Sequence, residues 1–237
     1  MMPPSGRAAV VPTPIVALDV PTMTSARALV DRLEDTADFF KVGLQLYTAE
    51  GPRVVEWLRG IEKRVFLDLK LHDIPNTVRG AAQSASSLGV ELLTVHAVGG
   101  EAMLRAAVEG GGATGILAVT VLTSMTQGDL EAARGHAVAS VGDEVLRLAR
   151  AADAAGAHGI VCAGSEVAEV RAALGDRLRT LVPGIRLGGT PTHDQARVMT
   201  PREAAAAGAS YVVIGRTVTA ADDPPGAMRR VLAELAS

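Results

Sequence analysis

Phe66-Leu67-Asp68-Leu69-Lys70-Leu71-His72-Asp73-Ile74-Pro75-Asn76-Thr77 follows an apolar start at Val65. Side chains alternate faces along a strand, so Asp68 and Lys70 are expected on one wall and Leu67 and Leu69 on the other. Pro75, Asn76 and Thr77 then read as a turn feeding a helix N-terminus. The stretch is thus a strand handing over to a helix, with a carboxylate and an ammonium at the handover. A structural ion pair would need only Asp-x-Lys. The Asp73 that follows makes the pattern Asp-x-Lys-x-x-Asp and asks for a further reason.

Strand and helix alternate in this way along the whole chain. Short apolar runs predict strands at 15–20, 39–46, 65–70, 92–98, 115–122, 159–163, 180–185 and 211–215. Ala-rich amphipathic stretches predict helices at 24–33, 50–59, 77–88, 100–109, 142–155, 166–174, 201–207 and 225–235. Each strand is followed by a helix, and eight such units match an α/β fold of the (β/α)8 TIM-barrel type, with a doubly wound open sheet as the other arrangement. Residues 13–237 are expected to form this single domain, behind a flexible N-terminal leader at 1–12 with three prolines. No sequence repeat accompanies the structural one. Gly110-Gly111-Gly112 reads as a helix stop and loop rather than a phosphate cradle.

Composition narrows the function classes. A chain of 237 residues with 48% hydrophobic content can bury one full core. A net charge of −3 without a basic block argues against nucleic-acid binding. The lone Cys162, in Gly-Ile-Val-Cys-Ala, reads as a buried small hydrophobe in a reducing cytosol, with a nucleophile as the alternative. No apolar run reaches the roughly 18 residues of a membrane span, and no signal-peptide pattern opens the chain. A cytoplasmic protein without membrane contact is expected.

Only three of the 23 basic residues are lysines, and Lys41 and Lys70 sit near the ends of apolar runs. Lys offers a compact ammonium that can donate a proton, which Arg does not. In a barrel the chemistry lies where strands end. The candidates there are Asp19, Lys41, Asp68, Lys70, His96, Thr123, Ser124, Pro183 to Arg186, and Gly215-Arg216. His96 reads as a core or neighbouring residue rather than a catalytic one. Gly184-Ile185-Arg186-Leu187-Gly188-Gly189-Thr190 before Gln195, and Gly215-Arg216-Thr217, place Gly-Arg clusters after strands seven and eight, where barrels bind phosphate. The alternative for these clusters is loop glycines and solvated arginines.

Taken in order, these residues resemble the orotidine 5′-phosphate decarboxylase family over nearly the whole chain after the leader. The resemblance runs through Ala17-Leu18-Asp19, Lys41-Val42-Gly43, Asp68 to Thr77, Leu122-Thr123-Ser124, Pro183-Gly184-Ile185-Arg186, Asp194-Gln195-Ala196-Arg197 with Thr200-Pro201, and Ile214-Gly215-Arg216. It implies a cofactor-free and metal-free decarboxylation of orotidine 5′-phosphate to UMP in pyrimidine biosynthesis. Lys70 would be the cation and proton donor, held by Asp68 and Asp73, with Lys41 binding Asp68 and the ribose. Asp19 would contact the ribose, and Thr123 and Ser124 the pyrimidine. Pro183, Arg186, Gln195, Gly215 and Arg216 would contact the substrate, chiefly at its phosphate. The resemblance further implies a homodimer in which Asp73, with Ile74 and Thr77, reaches the partner's site. Two rivals stand beside it. One is a metal-dependent phosphosugar epimerase or synthase on the same fold, with His72, Asp73, His96 and Asp68 as conceivable ligands. The other is a non-catalytic nucleotide-binding protein.

Overall fold

The computed structural model describes residues 11–188 and 198–237. Eight parallel strands close into a barrel in sequence order: β1 (Thr13–Ala17), β2 (Phe39–Gly43), β3 (Arg64–Leu71), β4 (Leu92–His96), β5 (Gly115–Val119), β6 (Gly159–Val161), β7 (Arg179–Ile185) and β8 (Tyr211–Ile214), with β1 pairing β8. The (β/α)8 expectation is the observed architecture. Among the described residues, no helix is long and apolar enough to cross a membrane.

The apolar runs lack a clean polar alternation because both faces of each strand are covered. Ile15, Ala17, Phe39, Phe66, Leu92, Leu117, Leu181 and Val213 point inward and form a packed layer inside the barrel. Their neighbours Val16, Phe40, Leu67, Leu93 and Val212 point outward into a second layer beneath the helices. At the carboxyl end of β3 the inward sequence continues from Phe66 to Asp68. The inner apolar layer thereby becomes the floor of a polar cavity.

Several element boundaries differ from expectation. The run at 39–46 is a strand only to Gly43, after which a helix (Leu44–Glu50) starts at once. The helix expected at 50–59 is instead the tail of that helix and a separate one at Arg53–Gly60. Gly51 breaks the two apart at φ +66°, a conformation that glycine adopts without penalty. The strand expected at 115–122 stops at Val119, and an unanticipated helix follows at Gln127–Arg134. That helix has a legible start: Thr126 accepts from the Asp129 amide while the Asp129 carboxylate accepts from the Thr126 amide.

The β ladder is interrupted twice near the cavity. Between β3 and β4 the register shifts between Leu67 and Leu71. Between β7 and β8 it shifts between Val182 and Ile185. Gly184, at φ +80°, supplies the left-handed residue in the second interruption. In the first, Lys70 itself adopts φ +50°. A non-glycine residue held there costs about 1–3 kcal/mol and persists only where its surroundings enforce it.

Candidate active site

A cavity of about 280 Å³ opens at the carboxyl ends of the strands. Its wall brings together Asp19, Lys41, Asp68, Lys70, Thr123, Pro183, Arg186, Gly215 and Arg216. Ala17, Phe66, Leu181 and Val213 from the inner apolar layer close it below.

Four charged side chains form an alternating row across β1, β2 and β3. Lys41 Nζ lies 2.8 Å from Asp19 Oδ1 and 3.7 Å from Asp68 Oδ2. Lys70 Nζ donates to Asp68 Oδ1 at 2.8 Å. Lys41 is 8% exposed, so its charge is tolerable only because it is paired. Burial pushes the Asp68 carboxyl up, but Lys41, Lys70 and hydrogen bonds from Lys70 and Thr94 outweigh it and hold the group below its ordinary value. Asp68 is therefore a fixed anion with an ammonium on each oxygen. Gly43 keeps the row intact, because a Cβ there would sit 2.9 Å from Lys41 Nζ and 3.3 Å from Asp19 Oδ1. The need is for space alone, since φ at Gly43 is an ordinary −96°.

The expected alternation of Asp68 and Lys70 holds only in its outcome. Both side chains reach the same wall, yet the backbone between them is irregular, and Lys70 reaches it from the interruption rather than from a regular strand. Thr94 is the residue that sequence reasoning missed. Its Oγ1 accepts from the Lys70 amide at 2.9 Å and donates to Asp68 Oδ1 at 2.9 Å. A signal was available, because Thr94 lies two residues past inward-facing Leu92 on the strand beside Asp68.

On the opposite wall Arg186 is 8% exposed and donates through Nη1 to the Ile185 carbonyl at 3.0 Å. Its Nε has no hydrogen-bond partner among the described residues. Burial lowers the Arg186 pKa and nearby Arg216 lowers it further, as expected of two cations facing one space. An anion between them would relieve both effects.

The remaining candidates lie elsewhere. Ser124 is exposed and does not line the cavity. Asp73, Ile74 and Thr77 are exposed and do not line it either, and Asp73 Oδ1 accepts from the Ile74 amide at 2.6 Å. Gln195 lies outside the described residues, as do Gly189 and Thr190 of the glycine cluster after β7. His96 faces His72 across 5.8 Å and lines a separate, largely apolar cavity behind Val121 and Leu122. Cys162 is buried. Among the described residues, no three His, Cys, Asp or Glu side chains converge as metal ligands would.

A charged row with two ammoniums, facing an arginine pair across one barrel mouth, can be set against known proteins. Residues 12–231 match the family described as orotidine 5′-phosphate decarboxylase / HUMPS. The chain belongs to that family. It is 51% identical over 223 residues to the orotidine 5′-phosphate decarboxylase of Anaeromyxobacter dehalogenans, covering 92% of this chain and 96% of that one. The decarboxylase of Moorella thermoacetica is 47% identical over 230 residues, covering 93% and 91%. The crystal structure of orotidine 5′-phosphate decarboxylase from Lactobacillus acidophilus superposes with a TM-score of 0.85 at 34% identity, covering 95% of this chain and 99% of that one. As a member of this family, the chain carries an uninterrupted charged row from Asp19 to Lys70 at the barrel mouth.

Proposed function

We propose that the cavity decarboxylates orotidine 5′-phosphate to UMP and CO2, with Lys70 as cation and proton donor. The observation that carries this reading is Lys70 Nζ held 2.8 Å from an ionised Asp68 at the cavity wall. Breaking the C6–carboxylate bond leaves its electron pair on C6 of the pyrimidine, where no carbonyl group delocalises it. A fixed positive charge aimed at that carbon is then the available stabilisation. The ammonium of Lys70 supplies the charge, transfers its proton to C6 to complete UMP, and regains a proton from solvent. Asp68, anchored on Lys41 as well, keeps the ammonium charged and oriented.

The substrate would lie with its pyrimidine by Lys70 and Thr123, its ribose by Asp19 and Lys41, and its phosphate between Arg186 and Arg216 beside Pro183 and Gly215. Ser124 and Gln195 would add contacts to the bound nucleotide. Binding energy at the phosphate, remote from the broken bond, can then organise the charged row. The same reading makes the enzyme a cytoplasmic homodimer, with 13–237 as its single domain and Asp73, Ile74 and Thr77 serving the partner's site. Against a metal-dependent phosphosugar enzyme stand the two ammoniums already engaging Asp68, which would put two positive charges beside a divalent cation bound there.

Chelator-treated protein should consume orotidine 5′-phosphate, followed by loss of its absorbance and by UMP release. No loss over a long incubation would sink the reading. Loss that chelation abolishes would favour the metal-dependent rival. Arg216→Ala is expected to weaken UMP binding and to reduce kcat/KM by about 30-fold or more, the equivalent of about 2 kcal/mol for a charge-assisted phosphate contact. Unchanged UMP affinity in that variant would move the phosphate away from β8.

A further inference from the structure

We propose that Thr94 is a positioning residue for the reaction, its one hydroxyl tying the Lys70 backbone to the Asp68 carboxylate. The hydrogen directions follow from the partners. An amide N–H can only donate, so Oγ1 accepts from Lys70, and an ionised carboxylate can only accept, so Oγ1 donates to Asp68 Oδ1. Asp68 Oδ1 in turn accepts from Lys70 Nζ. The three contacts form a ring that leaves the lysine at its backbone and returns to it at its ammonium.

The ring matters because of where it lies. The β3–β4 ladder is out of register between Leu67 and Leu71, so the Lys70 amide loses its regular strand partner. Lys70 also adopts a left-handed backbone that a lysine rarely takes up unaided. Thr94, fully buried at 0% exposure, stands in for the missing partner with a side chain instead of a carbonyl. The same oxygen fixes which way Asp68 turns, leaving Oδ2 toward Lys41. Without the hydroxyl, the amide and Oδ1 each lose a buried partner and the ammonium loses its fixed aim. Thr94 does not line the cavity, so its effect reaches the substrate only through Lys70 and Asp68.

This inference rests on the decarboxylase reading for its kinetic test but not for its structural one. Thr94→Val keeps the shape of the side chain and removes the hydroxyl. Its kcat per UMP-binding site should fall at least tenfold with UMP affinity within threefold of wild type, and Thr94→Ser should recover most of the loss. A role confined to folding would instead lower the number of UMP-binding sites and leave kcat per site unchanged. Should Thr94→Val fail to fold, Thr94→Ser and Thr94→Ala, which both lack the methyl, are compared, and equal kcat in the two overturns the proposal. Amide hydrogen exchange at Lys70 should also accelerate at least tenfold in Thr94→Val, or in Thr94→Ala relative to Thr94→Ser. Unchanged exchange overturns the proposal whatever the substrate proves to be. Wild-type protein is assayed alongside, and its failure to consume orotidine 5′-phosphate counts against the decarboxylase reading alone.

Discussion

Lys70→Arg is expected to fold, to bind UMP, and to lose turnover by several orders of magnitude. The fold should survive because Lys70 is only partly buried, its side chain 29% exposed, and a guanidinium can keep a contact with Asp68. The chemistry should not. The guanidinium is wider than the compact ammonium it replaces, spreads its charge over three nitrogens, and holds its protons too tightly to give one to carbon. Parallel measurement of UMP affinity and of kcat separates the two effects. Near-normal kcat in Lys70→Arg would remove Lys70 from the role of proton donor.

Two inactive proteins should regain activity when mixed. Asp73 stands three residues beyond Lys70 yet is exposed, its carboxylate turned to the amide of Ile74, which is itself 68% exposed. A large apolar side chain left in solvent beside a carboxylate without a cationic partner among the described residues suits a surface that a second copy covers. If that copy donates Asp73 to the site of its neighbour, Lys70→Ala and Asp73→Ala homodimers should each be nearly inactive. After dissociation and random reassembly of an equal mixture, half of the dimers are hybrids with one doubly defective site and one intact site. Roughly a quarter of wild-type activity should therefore return. A reassembled mixture as inactive as its parents would confine Asp73 to its own chain.

Much of this architecture was legible because barrel strands are buried on both faces and stand out as apolar runs bounded by polar ends. The positions of Asp19, Lys41, Asp68, Lys70, Arg186 and Arg216 at strand ends followed directly from that pattern. Boundaries were less legible where an apolar run continued into a helix, as at Leu44 and Leu46, whose hydrophobicity is the same in either element. The helix at Gln127–Arg134 went unanticipated although its Thr126/Asp129 start is written in the sequence. Thr94 was legible only as an inward-facing position two residues past Leu92, and its role was hidden for a different reason. Its importance depends on a register shift between two strands, and no local periodicity records the pairing of residues far apart in the chain. The same holds for the backbone of Lys70, whose left-handed conformation no residue type around it announces.

The two ladder interruptions have a geometric consequence. They fall between β3 and β4 and between β7 and β8, which lie opposite one another in a ring of eight. Pairing resumes beyond each shift, at Leu71 with Val95 and at Ile185 with Ile214, so the two offsets mark the closed hoop into two arcs of four strands, each in register within itself. One arc, β8-β1-β2-β3, carries Asp19, Lys41, Asp68, Lys70 and the following Gly215 and Arg216, while the other, β4 to β7, carries Thr123, Pro183 and Arg186. Thr94 is a stitch across the first offset. A nucleotide whose base lies between Lys70 and Thr123, and whose phosphate lies between Arg216 and Arg186, spans both arcs at each of its ends. It would act as a clasp across the two offsets, and the binding of the substrate and the rigidity of the site would be one event.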